Sequence, residues 1–236
     1  ISIENLFDQP EQLLADNSID IEELAYLICR GGWPMATLTT NRKAALRQAT
    51  IYYEGIVGKE NGENSDVSRV DGIKRDPERV KRLMRSLSRH QGTQAPLKTI
   101  YQDIVANDVD SLKEETISAY ITALKKIFCV EDMPAWNPCL RSKTAIRTSD
   151  TRYFVDPSIA VAAMRIGPKD LINDLETMGL LFESMVVRDL RVYAEALDGH
   201  IYHYRDKNNL ECDAVLHLEN GKYGLIDLKG NVVTKA

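Results

Sequence analysis

The sequence predicts an α+β protein, mostly helical through its first two hundred residues and closed by a strand hairpin. Apolar residues recur at three- and four-residue spacing behind capping residues, as in Asp20 before Leu24, Leu27 and Ile28. Near the C-terminus the period changes. Leu210–Leu218 and Lys222–Lys229 alternate imperfectly between apolar and polar residues around Glu219-Asn220-Gly221, which is a hairpin pattern. The composition is that of an ordinary globular protein, with 44% hydrophobic and 28% charged residues in 236. That length holds one large domain or two small ones with a real core.

Residues 1–75 read as a helical region. Asp20 with Glu23 forms a capping box that opens a helix running through Cys29. Gly31-Gly32 and then Pro34 stop it, because glycine accepts a left-handed cap and proline cannot continue a helix. A second helix is expected over 39–57, with Ala45, Leu46, Ala49, Tyr52, Tyr53 and Ile56 at helical spacing. Lys59–Ser68 is polar and reads as a loop. No stretch fits the glycine-rich phosphate loop of an ATPase motor.

Residues 76–140 read as a winged helix-turn-helix. Asp76 caps a helix with Pro77 at its first position, and Val80, Leu83, Met84 and Leu87 form its inner face. A short helix follows over 97–105. Ser111 with Glu114 forms a capping box for a third, which carries Ile117, Tyr120, Ile121, Leu124 and Ile127 inward. Phe128–Trp136 is the expected wing strand. Between Lys74 and Lys98 eight cations stand against Asp76 and Glu78, a local excess of six in a chain of net charge −5. Arg82, Arg85 and Arg89, joined by Lys125 of the third helix, are the candidate DNA contacts. Glu114 and Glu115 at the leading end of the third helix would repel phosphate. A solvated face, or a module that packs on a protein partner, is the competing reading.

Residues 141–236 read as a basic linker, a short strand at Tyr153-Phe154-Val155, a helix after Asp156-Pro157, a long helix over 174–197 and the strands. Asp227 and Lys229 are two apart and share one face of their strand. The turn decides whether Asp213 joins them. A two-residue Asn220-Gly221 loop sets Asp213 opposite Leu228. A three-residue loop with Gly221 as a left-handed bulge pairs Leu218 with Lys222 and sets Asp213 opposite Asp227; this is the register expected. Two carboxylates and an ammonium at one spot suit Mg²⁺, which takes oxygen ligands, and a lysine there serves an attacking water. An ion-paired or solvated strand face uses the same residue types.

An acid on a helix, then Asp, then Asp/Glu-x-Lys across a hairpin resembles the P-D-(D/E)-x-K pattern of restriction-endonuclease-like nucleases. Here those positions are Glu183, Asp213, Asp227 and Lys229. More widely, Gly31-Gly32-Trp33-Pro34, Arg75-Asp76, Tyr153-Phe154-Val155-Asp156-Pro157, Gly179-Leu-Leu-Phe-Glu183, Tyr204-Arg205-Asp206, Glu211-Cys-Asp213 and Ile226-Asp227-Leu-Lys229 follow one another as in a C-terminal domain of unknown function of prokaryotic AAA+-like ATPases. The family usually has Glu where Asp227 stands. The resemblance implies a winged helix followed by a nuclease-like α/β element. The chain ends soon after Lys229, so the later elements of a complete nuclease core are expected to be missing or to lie outside it.

Two functions of different class follow as expectations. One is a non-motor interaction module of an AAA+-like ATPase, with an ATPase domain upstream, that binds double-stranded DNA or protein on a nuclease-like scaffold. The other is a Mg²⁺-dependent nuclease in which Asp213 and Asp227 hold metal with the Leu228 carbonyl, while Lys229 and Glu183 assist the water. The opening Ile1 suggests a fragment or processed product. The scattered cysteines, with no signal peptide or membrane-length apolar run, suggest reduced thiols in the cytoplasm.

Overall fold

The computed structural model describes residues 3–8, 19–58, 65–105, 113–138, 149–206 and 210–228. It divides the chain into two units. The larger comprises Asp20–Asp132 with Arg152–Met185; the smaller comprises Ile1–Ile19, Met133–Thr151 and Val186–Ala236. No helix among the described residues is long and apolar enough to cross a membrane.

The larger unit begins with α2 (Ile21–Arg30), which follows a short α1 (Ile3–Asp8) of the smaller unit. Asp20 caps α2 by accepting the Glu23 N–H at 2.7 Å. After Gly31 the chain turns into α3 (Pro34–Leu38) and α4 (Arg42–Val57), the latter capped by Asn41. The single helix expected over 39–57 is therefore preceded by a separate turn. Asn41 holds an extended backbone and accepts the Ala44 N–H at 3.1 Å, so α4 starts there. Asp66–Arg69 forms the short α5, which overlaps the end of the Lys59–Ser68 stretch read as loop.

Next come α6 (Pro77–Arg89), α7 (Leu97–Val105) and α8 (Glu114–Lys126). Asp76 caps α6 by accepting the Arg79 N–H at 2.9 Å. The capping box expected at Ser111 and Glu114 is not how α8 begins: Lys113 is its N-cap without a side-chain cap bond, and Glu114 is its first residue. Ser111 itself lies outside the described residues. Strand β1 (Val130–Met133) pairs with β2 (Thr151–Phe154). Thr93 adds an antiparallel bridge to Arg152, so the turn between α6 and α7 joins the edge of that pair. Phe128 holds a left-handed φ of 55° and stays exposed, so the strand starts two residues later than the sequence suggests.

Two further helices, α9 (Pro157–Met164) and α10 (Pro168–Asn173), lead into α11 (Leu175–Glu195). One core joins these helices: Ile28, Ile56, Val80, Leu83, Met84, Ile100, Ile117, Leu124, Phe154, Ile159 and Leu181 are all at most 1% exposed. Each such side chain contributes roughly 1.5–3 kcal/mol by leaving water.

A buried carboxylate ties three parts of this unit together. Asp156 caps α9 by accepting the Ser158 N–H at 2.9 Å and also accepts the Ser158 hydroxyl at 2.6 Å. Its second oxygen accepts the Gly32 N–H at 2.8 Å, across 124 residues of sequence. Trp33 completes the corner by donating its indole N–H to Ser158 Oγ at 2.8 Å. Gly31 sits at φ 71° and ψ −175°, a conformation reserved for glycine, and a Cβ there would lie 2.4 Å from Asp156 Oδ1. The Gly-Gly-Trp-Pro stretch is thus both a helix stop and a docking surface for the Asp156 turn.

The smaller unit holds the remainder of α11 and a three-stranded antiparallel sheet, β3 (Gly199–Arg205), β4 (Glu211–Leu218) and β5 (Tyr223–Ile226), in that order. Residues 134–136 run parallel to β3: the His203 N–H donates to Pro134 O at 3.0 Å and the Trp136 N–H to His203 O at 2.7 Å. Trp136 then packs on Tyr223, with ring centroids 4.8 Å apart, and edge-on to Tyr204 and His217. It is a packing residue of this sheet. His203 is buried, its Nε2 lies 3.2 Å from Ser149 O, and burial pushes its pKa down, so the neutral ring donating from Nε2 is favoured.

Replacing Gly31 by Ala, or Asp156 by Ala, should destabilise the larger unit by at least about 2 kcal/mol, through strain in one case and orphaned buried donors in the other. Urea denaturation measures this, and a change below about 0.5 kcal/mol in both variants, the level of an ordinary surface substitution, contradicts it.

Candidate functional site

The hairpin between β4 and β5 takes the three-residue loop. The Leu218 N–H donates to Lys222 O and the Gly221 N–H to Leu218 O, both at 2.9 Å, with Gly221 left-handed at φ 85°. Ala214 pairs with Ile226, Val215 with Leu225 and His217 with Tyr223. One step further out, this register puts Asp213 opposite Asp227. Counting from the bonded Leu218–Lys222 pair, it is a non-hydrogen-bonded position, where facing side chains lie closest.

Two like charges directly opposite on a sheet cost stability unless something neutralises or bonds them. Asp213 meets part of that need inside the chain, since its Oδ2 accepts the Leu228 N–H at 2.7 Å. Cys212, between the strands, donates its thiol to Ala214 O at 3.2 Å and Ile226 O at 3.3 Å. Burial pushes that thiol up, and the Asp213 and Asp227 carboxylates both act on it in the same sense. It stays protonated and is no nucleophile at neutral pH.

The pair can supply two oxygen donors to a hard cation; water or substrate oxygens would have to supply the rest. Among the described residues no group of three or more His, Cys, Asp or Glu side chains is placed to hold a metal ion. Lys229 lies outside the described residues.

Glu183 belongs to the other unit, on the first half of α11. It accepts the Tyr153 hydroxyl at 2.8 Å, and its carboxylate fills the space beside Gly92, where a Cβ would come within 2.7 Å of it. Tyr153 and Glu183 thus join two of the motifs that carry the sequence resemblance.

The basic candidates differ in their surroundings. Arg85 and Arg89 are exposed on α6, while Arg82, one turn earlier, is half-buried. Arg89 lies 3.8 Å from Asp103. Lys125 is ion-paired with Asp132, which Arg152 also engages at 2.9 Å. Burial works to raise the Asp132 pKa, but hydrogen bonds from Arg152 and Lys125 outweigh it and hold the carboxyl below its ordinary value. Lys125 is therefore already matched by a nearby anion. The sequence did not reveal Asp132 in this role, because its partners come from a helix and a strand on either side of it. Arg75 is buried at 2% exposure, bound through both terminal nitrogens to Asp71 at 2.8 and 2.6 Å, and serves the fold.

Comparison with protein families finds two successive matches along the chain. Residues 21–170 match a domain of unknown function, DUF8612, and the chain belongs to that family. Residues 178–235, which include the hairpin, match a second domain of unknown function, DUF4143, which is typically found with AAA ATPases. No curated protein and no solved structure matches the chain.

Proposed function

We propose that the chain is a non-motor region that works with an AAA ATPase, and that its helical unit is a docking module of winged-helix type. The observation that carries this is the match of residues 178–235 to a domain typically found with such ATPases. The element order supports the second half: helix α6, the Thr93 bridge, helices α7 and α8, then strands β1 and β2. A winged helix has that sequence of parts.

The surface of α8 favours a protein partner over DNA. Its exposed residues include Glu114, Glu115, Ser118, Ala119 and Thr122. Acids at the leading end oppose phosphate, and small side chains allow close approach of a packed surface. Lys125 is neutralised by Asp132. A DNA role would fall to Arg82, Arg85 and Arg89, whose positions recur along one stripe of α6.

The direct test is calorimetric titration of the chain with the ATPase portion of its natural protein, with ATP or ADP present. Saturable binding is expected, weakened about tenfold or more by Glu115→Arg with Thr122→Arg, a loss of roughly 1.4 kcal/mol. Absence of binding in both nucleotide states overturns the reading. A duplex of mixed sequence should bind no better than the general level of roughly 10⁻⁴–10⁻⁶ M at physiological salt.

One observation favours a second reading. Asp213 set opposite Asp227, one step beyond the Ala214–Ile226 pair, supports a Mg²⁺-dependent nuclease with Lys229 orienting the attacking water. Titration of Mn²⁺ should then show saturable binding that disappears in Asp213→Ala with Asp227→Ala. A folded wild-type protein that takes up no Mn²⁺ rules this reading out.

A further inference from the structure

A cavity of about 350 Å³ opens between α4 and α9. Its walls are largely aliphatic, with Leu46 from α4 and Val161 and Ile166 from α9 and the turn after it. Three cations also line it: Lys43 and Arg47, one turn apart on α4, and Arg165. Apolar walls with a few polar groups at one place, at this size, are the usual form of a small-molecule site. A second cavity of about 840 Å³ adjoins it and shares Thr50, Ala162 and Arg165.

Arg42 pairs with Glu23, Arg75 with Asp71, Lys81 with Glu78 and Arg205 with Glu211. Lys43, Arg47 and Arg165 form no ion pair among the described residues. Lys43 and Arg47 stand four apart on one helix, where like charges repel.

Arg165 adds a second observation. It closes α9 in the left-handed conformation at φ 59°. Glycine is the common occupant of such a position and an L side chain is strained there. Here the position carries a long cation to the cavity. The nearby Asp170 carboxylate is engaged with the Gly167 N–H at 2.7 Å. Glu54 lines only the second cavity. Cys29 is part of the wall; burial, reinforced by Asp170, pushes its thiol up to about 12, so it is neutral and inert.

A carboxylate offers one negative charge to three cations. A phosphate monoester offers nearly two, with three acceptor oxygens. Guanidinium groups match that geometry. We propose that this cavity binds a small organic phosphate, with the phosphoryl group on Lys43, Arg47 and Arg165 and the carbon body on Leu46, Val161 and Ile166.

The test is calorimetry of the whole chain with hexyl phosphate, inorganic phosphate and hexanoate. Hexyl phosphate should saturate one site and bind about tenfold or more tightly than either of the others. Arg165→Gly removes a cation while relieving the left-handed backbone, so it keeps the fold; Arg47→Glu reverses a charge on an exposed helix position. Each should weaken hexyl phosphate about tenfold or more. Several results overturn the proposal: no saturation in wild-type protein, equal affinity for inorganic phosphate, preference for hexanoate, or undiminished binding in the folded variants.

Discussion

The Asp156 carboxylate is the constraint on which the helical unit depends. It is 5% exposed and would be costly to bury without partners. Its partners are the start of α9 and the corner after α2. Satisfying it fixes where α2 ends, the direction in which α3 leaves, and the placement of α9 against α2 and α4. The cation-lined cavity lies along that α4–α9 seam, so its shape follows from the same bond network. Tyr153, three residues earlier, reaches Glu183, and the Phe154 N–H donates to Gln91 Oε1 at 2.8 Å. One short stretch, Tyr153 to Ser158, thereby ties the N-terminal helices, the α6–α7 turn and α11.

The smaller unit depends on a different constraint, the register of one hairpin. The Gly221 bulge sets Leu218 against Lys222, and everything outward follows in steps of two. A slip of one residue would send Asp213 and Asp227 to opposite faces. In the observed register they face one another, and the Leu228 N–H takes one oxygen of Asp213. Part of the charge problem created by the pair is thus solved within the chain, which is why the docking reading does not require a metal.

Local signals were the legible ones. Asp20, Asp76 and Asp156 each precede a helix and cap it, because a cap is written within three residues. The hairpin register followed from Gly221 in a three-residue loop. Contacts between distant segments were not legible. Nothing near Gly32 announces Asp156, and nothing near Lys125 announces that Asp132 and Arg152 neutralise it. The start of α4 was placed three residues early because Asn41, rather than a residue before Thr39, supplies its cap. The start of α8 was misplaced because Ser111 and Glu114 match a capping pattern that the chain does not use. For the candidate site, periodicity placed Glu183 on a helix, but only the structure shows that Tyr153 and Gly92 enclose its carboxylate.

The Asp156 corner, its carboxylate only 5% exposed, belongs to the cooperative core of the larger unit and is not a loosely held surface turn. Native-state hydrogen exchange of the Gly32 amide tests it most directly, because that N–H is bonded to Asp156 and to no helix carbonyl. It should exchange only by global unfolding, with the same free energy and urea dependence as the core amides of α6. Exchange through a small local opening that is insensitive to urea would contradict it.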